Sequence, residues 1–266
     1  MHPVTLYSPI SLSSVLKEKN TMVVQITDTA TYLNGHIPNA LLVTPEEIMN
    51  DQGPMVGKLP SIANIRALLS KIGYRTDHTI VVYDNEGGGW AGRFLWILDC
   101  LGHSSLGYLN GGLIAWRAEN LSIEKNWTQV PVTEVRAKLQ TLPIASVEDV
   151  KNAIKDPQQL IWDARSAKEF TGQDRRAIRG GHIPSAFNLD WSTLQNSKNH
   201  FCLTDNLEQI LKDNDLLSGK KIITYCQAHH RSGLSYLVGR LFQLDIKAYD
   251  GAWMEWGNRP DTPIEL

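Results

Sequence analysis

The chain has 266 residues, 42% hydrophobic and 20% charged, with a formal net charge of −2. That is enough for one large or two ordinary globular domains, and a near-neutral balance argues against a non-specific binder of nucleic acid or acidic surfaces. No apolar run is long enough to cross a membrane, and the opening MHPVTLYSPISLSSVLKEKN lacks the basic-then-apolar pattern of a secretory signal. Three cysteines, Cys100, Cys202 and Cys226, show no Cys-x-x-Cys spacing. A disulfide framework and a structural zinc site are therefore not expected, no metal is assigned, and a cytoplasmic location is.

In chain order, Met22–Ile26 reads as a buried strand. GHIPNA follows at Gly35–Ala40. Leu59–Gly73 has helical spacing, with Pro60 suited to its first turn and Gly73 to its end. Thr79–Tyr83 is a second buried strand, leading into the loop DNEGGGW, and YLNGGLIAW closes this half. Trp127–Leu142 has little periodicity and reads as a linker. The pattern then returns. QLIWD and KIITY are strands, GHIPSA stands 146 residues after GHIPNA, and Tyr225 stands 142 after Tyr83. AYDGAWMEW stands 140 after YLNGGLIAW. Three matches in one order imply duplication, at a period too long for a solenoid. The reading is a domain over 1–126, a linker over 127–142 and a second domain over 143–266. Strands alternating with helices imply, in each, a parallel sheet flanked by helices on both faces. Ligands of such sheets bind beyond the carboxyl ends of strands.

Cys226 stands at such an end, in IITYCQAHHRSGLSYL, between the strand KIITY and the helical pattern RSGLSYLVGRLFQL. Amides at a helix start favour an anion, and His229, His230 and Arg231 are expected to add positive charge that promotes the thiolate. Arg231 suits a forked grip on a sulfonate. The duplicate half has Asp84 in the place of Cys226 and no Cys, His or Arg in its loop. One half is equipped for chemistry, the other kept for structure.

The motifs GHIPNA, GHIPSA, YLNGGLIAW, DARSAKEF, YCQAHHRSG and YDGAWMEW span nearly the whole chain. On them the chain resembles the tandem-domain rhodaneses, or thiosulfate sulfurtransferases, and its Cys-Gln-x-His-His-Arg loop resembles that of a bacterial subgroup. The resemblance implies two rhodanese-like domains, with only the second catalytic. It implies a Cys226 persulfide formed by double displacement, no cofactor, and small-molecule sulfur donors and acceptors such as thiosulfate and cyanide. Gln227, Ala228, His229, His230, Arg231 and Ser232 would form the substrate loop, and Arg179 would reach the donor. Mitochondrial rhodaneses follow the cysteine with Arg-Lys-Gly and mercaptopyruvate sulfurtransferases with Gly-Ser-Gly, and both carry an arginine where Glu169 stands here. Donor choice between thiosulfate and 3-mercaptopyruvate therefore stays open, as does sulfur delivery to a partner protein. A monomer with no nucleic-acid or membrane partner is expected.

A cysteine phosphatase is the competing enzyme reading. Its Cys-x5-Arg loop wraps a phosphate, whereas Cys226 and Arg231 leave four residues between them, and Ser232 stands where the arginine would be. Arg165, Asp163 and Trp253 are read as pocket support, with Arg165 tying the loop or a domain contact and Asp163 orienting a loop arginine. Arg175 and Arg176 are read as solvated surface, His36 and His182 as structural, and Cys100 as inert core. Removing Arg231 is expected to weaken donor use far more than folding.

Overall fold

The structure is a computed structural model and describes residues 2–50 and 57–266. Two five-stranded sheets share one topology. The first half runs β1 (Val4–Tyr7), α1 (Pro9–Val15), β2 (Thr21–Ile26), α2 (Thr29–Asn34), β3 (Leu41–Val43), α3 (Ile62–Lys71), β4 (Thr79–Tyr83), α4 (Gly89–Cys100), β5 (Leu106–Leu109) and α5 (Gly112–Ala118). Its strand order is β1-β5-β4-β2-β3, with every pairing parallel.

The second half begins with β6 (Ile144–Ala145), α6 (Val147–Ala153), β7 (Gln159–Asp163), α7 (Ala167–Phe170) and β8 (Phe187–Asn188). A hairpin of β9 (Gln195–Asn196) and β10 (Cys202–Leu203) intervenes before α8 (Leu207–Asp213). It ends with β11 (Lys221–Tyr225), α9 (Arg231–Leu241), β12 (Ile246–Tyr249) and α10 (Ala252–Trp256), in the parallel order β6-β12-β11-β7-β8.

Successive strand residues point to opposite faces, so each β-branched run feeds two cores. Ile80 and Val82 join α4 in one cluster, while Val81 and Tyr83 join Leu12 and Trp116 in another. Ile222 joins α9, while Ile223 and Tyr225 pack with Val150, Trp253 and Trp256. Helices thus cover both faces of both sheets.

The repeated GHIP phrase closes each half. His36 and Glu124 exchange backbone hydrogen bonds, as do His182 and Glu265. The Ile37 N–H donates to the Tyr83 hydroxyl, and the Ile183 N–H to the Tyr225 hydroxyl. The expected helix Leu59–Gly73 starts later than the proline suggested. Ser61 caps it by accepting from the Asn64 N–H, so Pro60 lies outside; Gly73, at φ +65°, follows the end. Residues assigned to the linker carry no helix or strand from 127 to 140 and run over the first half, where the Ala137 carbonyl accepts from Arg66.

The inner faces of the two halves share one core. Val82, Phe94 and Leu98 lie in the same cluster as Leu234, Leu237 and Val238. There α4 crosses α9 at glycines. A Cβ on Gly92 would meet the Gly233 carbonyl oxygen at 2.1 Å, and one on Gly233 would meet the Gly89 oxygen at 2.3 Å. Side chains are excluded at that crossing, and the residue after Gly92 is carried beneath the loop that precedes α9.

Candidate active site

Cys226 directly follows β11 and is buried, at 1% exposure. The five carbonyls that follow its strand, Cys226 to His230, all accept hydrogen bonds. Those of Cys226 and Gln227 accept from the Trp253 and Met254 N–H groups at 2.9 and 3.0 Å, in the first turn of α10. Those of Ala228 and His229 accept from Arg93 Nη1 at 3.2 and 3.3 Å, and that of His230 accepts from the Gly233 N–H. In a trans peptide the N–H points opposite to the preceding C=O. The amides of Gln227 through Arg231 are thereby turned away from these partners.

The first half shows what such a loop holds. Asp84 occupies the position of Cys226, and its Oδ1 accepts from the N–H groups of Glu86, Gly87 and Gly88 at 3.1, 3.1 and 2.9 Å. Its Oδ2 accepts from Ala91. Burial pushes the Asp84 carboxyl above its usual range, and the amides of Ala91, Gly88 and Glu86 oppose that push. Here the anion cradle is filled by the chain's own carboxylate; in the second half a cysteine stands at its head.

Two guanidinium groups sense Cys226 electrostatically, Arg231 and Arg93. Arg231 is not a free cation. Its Nη1 and Nη2 meet the two Glu169 oxygens at 2.5 and 2.8 Å, a fork-to-fork pair beside a carboxylate only 1% exposed. Burial alone would raise the Glu169 carboxyl. Arg231, with Ser166 and Arg176, outweighs this and holds it down to about 2. Arg176, read as plain surface, is exposed but comes within 3.7 Å of Glu169. Removing Arg231, expected to weaken donor use far more than folding, would also strand a buried carboxylate.

The histidines do not supply the expected positive charge together. His229 is fully buried, in a left-handed conformation at φ 54°. Its Nδ1 meets the Ser232 hydroxyl at 2.8 Å, and its ring meets Trp96 of the first half edge-on at 4.3 Å. Burial, helped by Arg93 and His230, pushes its pKa well below the ordinary value, so it is neutral and packs the interface of the two halves. Ser232 is engaged by His229 and buried. His230 stacks on Trp90 at 4.2 Å, and its Nε2 lies 2.8 Å from Glu86, again across the interface. Gln227 donates to the Arg176 carbonyl, while its buried Oε1 has no protein partner. Ala228 lies under Gly57 of the first half, where an added Cβ would approach its Cα to 2.8 Å.

Arg179 is corrected outright as a donor contact. Its guanidinium is spent on the carbonyls of Trp256, Arg259 and Thr262 and on the Thr262 hydroxyl, which ties down the C-terminal segment. Asp163 orients an arginine, but it is Arg165 rather than one in the loop. Arg165 Nη2 lies 2.6 Å from Asp163, which also accepts from the Tyr225 hydroxyl at 2.6 Å. The Arg165 guanidinium lies 4.3 Å over Trp253 and donates to the Gly181 carbonyl. These three residues form a buried platform under the strand ends. The Cys202 thiol lies beside Gly111 of the first half, and Cys100 is buried in α4. A cleft of 380 Å³ between Leu16, Met22, Val130 and Pro131 contains none of the loop residues.

Sequence reading missed Arg93, Glu86 and the Glu169–Arg231 pair. Gly92 and Gly233 were legible as helix glycines, a hint of close helix contact. Nothing in the sequence said which helices would meet.

A profile of the rhodanese-like domain matches residues 8–119 and 146–259. The thiosulfate sulfurtransferase of Pseudomonas aeruginosa is 38% identical over 259 residues, covering 97% of this chain and 96% of that protein. The 3-mercaptopyruvate sulfurtransferase of Escherichia coli is 32% identical over 238 residues, covering 88% and 84%. A crystal structure of a 3-mercaptopyruvate sulfotransferase from Escherichia coli superposes with a TM-score of 0.82 at 26% identity, covering 94% of this chain and 99% of that one.

Proposed function

The chain belongs to the rhodanese-like family, and from that premise we propose that it is a thiosulfate sulfurtransferase working through Cys226. In this reading the Cys226 thiolate attacks the outer sulfur of thiosulfate, the S–S bond of the donor breaks, and sulfite leaves with the bonding electron pair. Cys226 then carries a persulfide. Cyanide attacks its outer sulfur, thiocyanate leaves, and the thiolate returns. No net electron is gained or lost by the protein across the cycle.

The single observation that supports this assignment best is the loop pair. In the first half the amides grip a carboxylate on Asp84. The equivalent loop presents a buried cysteine whose own carbonyl and the four that follow it all accept hydrogen bonds. Fixed dipoles of this kind stabilise a thiolate and a persulfide without reorganising. Glu169 takes one edge of the Arg231 guanidinium, and its remaining N–H groups are the proposed contact for the donor's sulfonate. A small donor suits a thiol this deeply set.

A reducing cytoplasm suits a thiolate enzyme, and the three cysteines are free. Among the described residues no helix is long and apolar enough to cross a membrane.

The test is intact-mass spectrometry after donor alone, beside thiocyanate formation from thiosulfate or 3-mercaptopyruvate. One added sulfur, lost in Cys226→Ser and kept in Cys100→Ser and Cys202→Ser, is expected, with faster turnover of thiosulfate. Preference for 3-mercaptopyruvate would overturn the donor and leave the persulfide route. Persulfide without thiocyanate would point to a protein acceptor. No added sulfur from either donor would overturn the reading.

A further inference from the structure

We propose that Arg93, a residue of the first half, is a positioning residue for the Cys226 loop, so that the half without a cysteine supplies part of the active site. The inference deepens the sulfurtransferase reading and rests on it for the chemistry of Cys226.

Arg93 is fully buried in α4 and makes no ion pair among the described residues. Its Nε donates to the Ile48 carbonyl, Nη2 to that of Lys58, and Nη1 to those of Ala228 and His229. Burying a guanidinium without a carboxylate is costly. The return is in what it holds. The carbonyls of Cys226, Gln227 and His230 find backbone donors inside the second half. Among the described residues, those of Ala228 and His229 are held from across the interface, by Arg93. The amides behind these two carbonyls belong to His229 and His230.

Their counterparts in the first half are Gly87 and Gly88, and both donate to Asp84 Oδ1. In that loop Gly87 reaches its φ of +99° freely, whereas Gly88 at φ +97° has its counterpart, His230, at φ −94°. In the second loop His229 sits at φ 54°, a costly conformation for a residue with a Cβ. Arg93 supplies by clamping what glycine supplies by freedom. It also leaves a buried positive charge near the thiol, and burial lowers its own pKa only to about 10.

Several other charged groups face this region. Arg93 also senses Asp250 and Cys100. Arg231 senses Glu169 and Asp163, Glu169 titrates near 2, and His229 is neutral. His230 faces Glu86, and Lys58 pairs with Glu255.

The test compares wild type, Arg93→Met and Arg93→Lys. Iodoacetamide alkylation at the Cys226 peptide is followed by mass spectrometry against pH, beside kcat for thiocyanate formation and a urea midpoint. Alkylation needs no sulfur donor, so an inactive wild type would sink the sulfurtransferase reading and leave this comparison intact. In Arg93→Met alkylation of Cys226 at a given pH is expected to slow and kcat to fall about tenfold to a hundredfold. Arg93→Lys should lie between the two. A folded Arg93→Met with wild-type profile and kcat would overturn the proposal. So would a loss of stability with an unchanged profile, the mark of packing alone. If Arg93→Met does not fold, Arg93→Lys decides by the same two readouts.

Discussion

Glu169→Gln tests the electrostatics of the site most directly. The substitution keeps the shape of the side chain and removes its charge from the Arg231 fork. In the folded chain the Glu169 carboxyl titrates at about 2 against an ordinary value of 4.5. This displacement corresponds to about 3 kcal/mol of folding stability. Because the folded value is depressed, that stability is fully present above pH 4.5 and is lost as pH falls towards 2. Little solvent screening applies, since Glu169 is 1% and Arg231 16% exposed. Urea unfolding from pH 7 down to 2 is the assay. The variant should be about 2–3 kcal/mol less stable at pH 7, and the gap should close towards pH 2. Freed of its carboxylate, Arg231 gains N–H groups for the donor. KM for thiosulfate should then fall about tenfold, the effect of one further charge-assisted hydrogen bond. Parallel stability curves for variant and wild type would refute the strength assigned to the pair. A raised KM would refute the view that Glu169 competes with the donor.

Arg231→Met should lose thiosulfate use and also about 3 kcal/mol or more of stability, because it leaves Glu169 charged and buried. Adding Glu169→Gln should restore much of the stability and none of the activity, as a double-mutant cycle by urea unfolding and thiocyanate assay would show. Asp84→Ala should cost about 2 kcal/mol or more by stranding amides in the first loop. Added sulfate should raise its melting temperature more than that of wild type, since the vacated cradle can take an anion, while persulfide formation at Cys226 persists. An equal sulfate response in the two proteins would count against the cradle.

The duplication, the strands at Thr79–Tyr83 and Lys221–Tyr225, the helix after Arg231 and the placing of Cys226 at a strand end were all legible in the sequence. They depend on periodicity and on residues a few positions apart, which one chain records directly. Tyr83 and Tyr225 could be aligned from sequence, and the fold gives them the same work, each receiving the amide of its GHIP isoleucine.

What only the tertiary structure decided lies between segments far apart in the chain. Glu169 and Arg231 are 62 residues apart, and Arg93 reaches the Ala228 carbonyl over 135. A basic run such as His229-His230-Arg231 looks uniformly cationic when read along the chain. In the fold one ring is buried neutral against Trp96, one stacks on Trp90 beside Glu86, and the guanidinium is paired. Arg179 looked equally available and serves the C-terminal segment instead. The sequence determined which groups could carry charge and where the chain would turn. Charge state and direction depend on burial and on partners brought in by the α4–α9 crossing, and packing alone decides those.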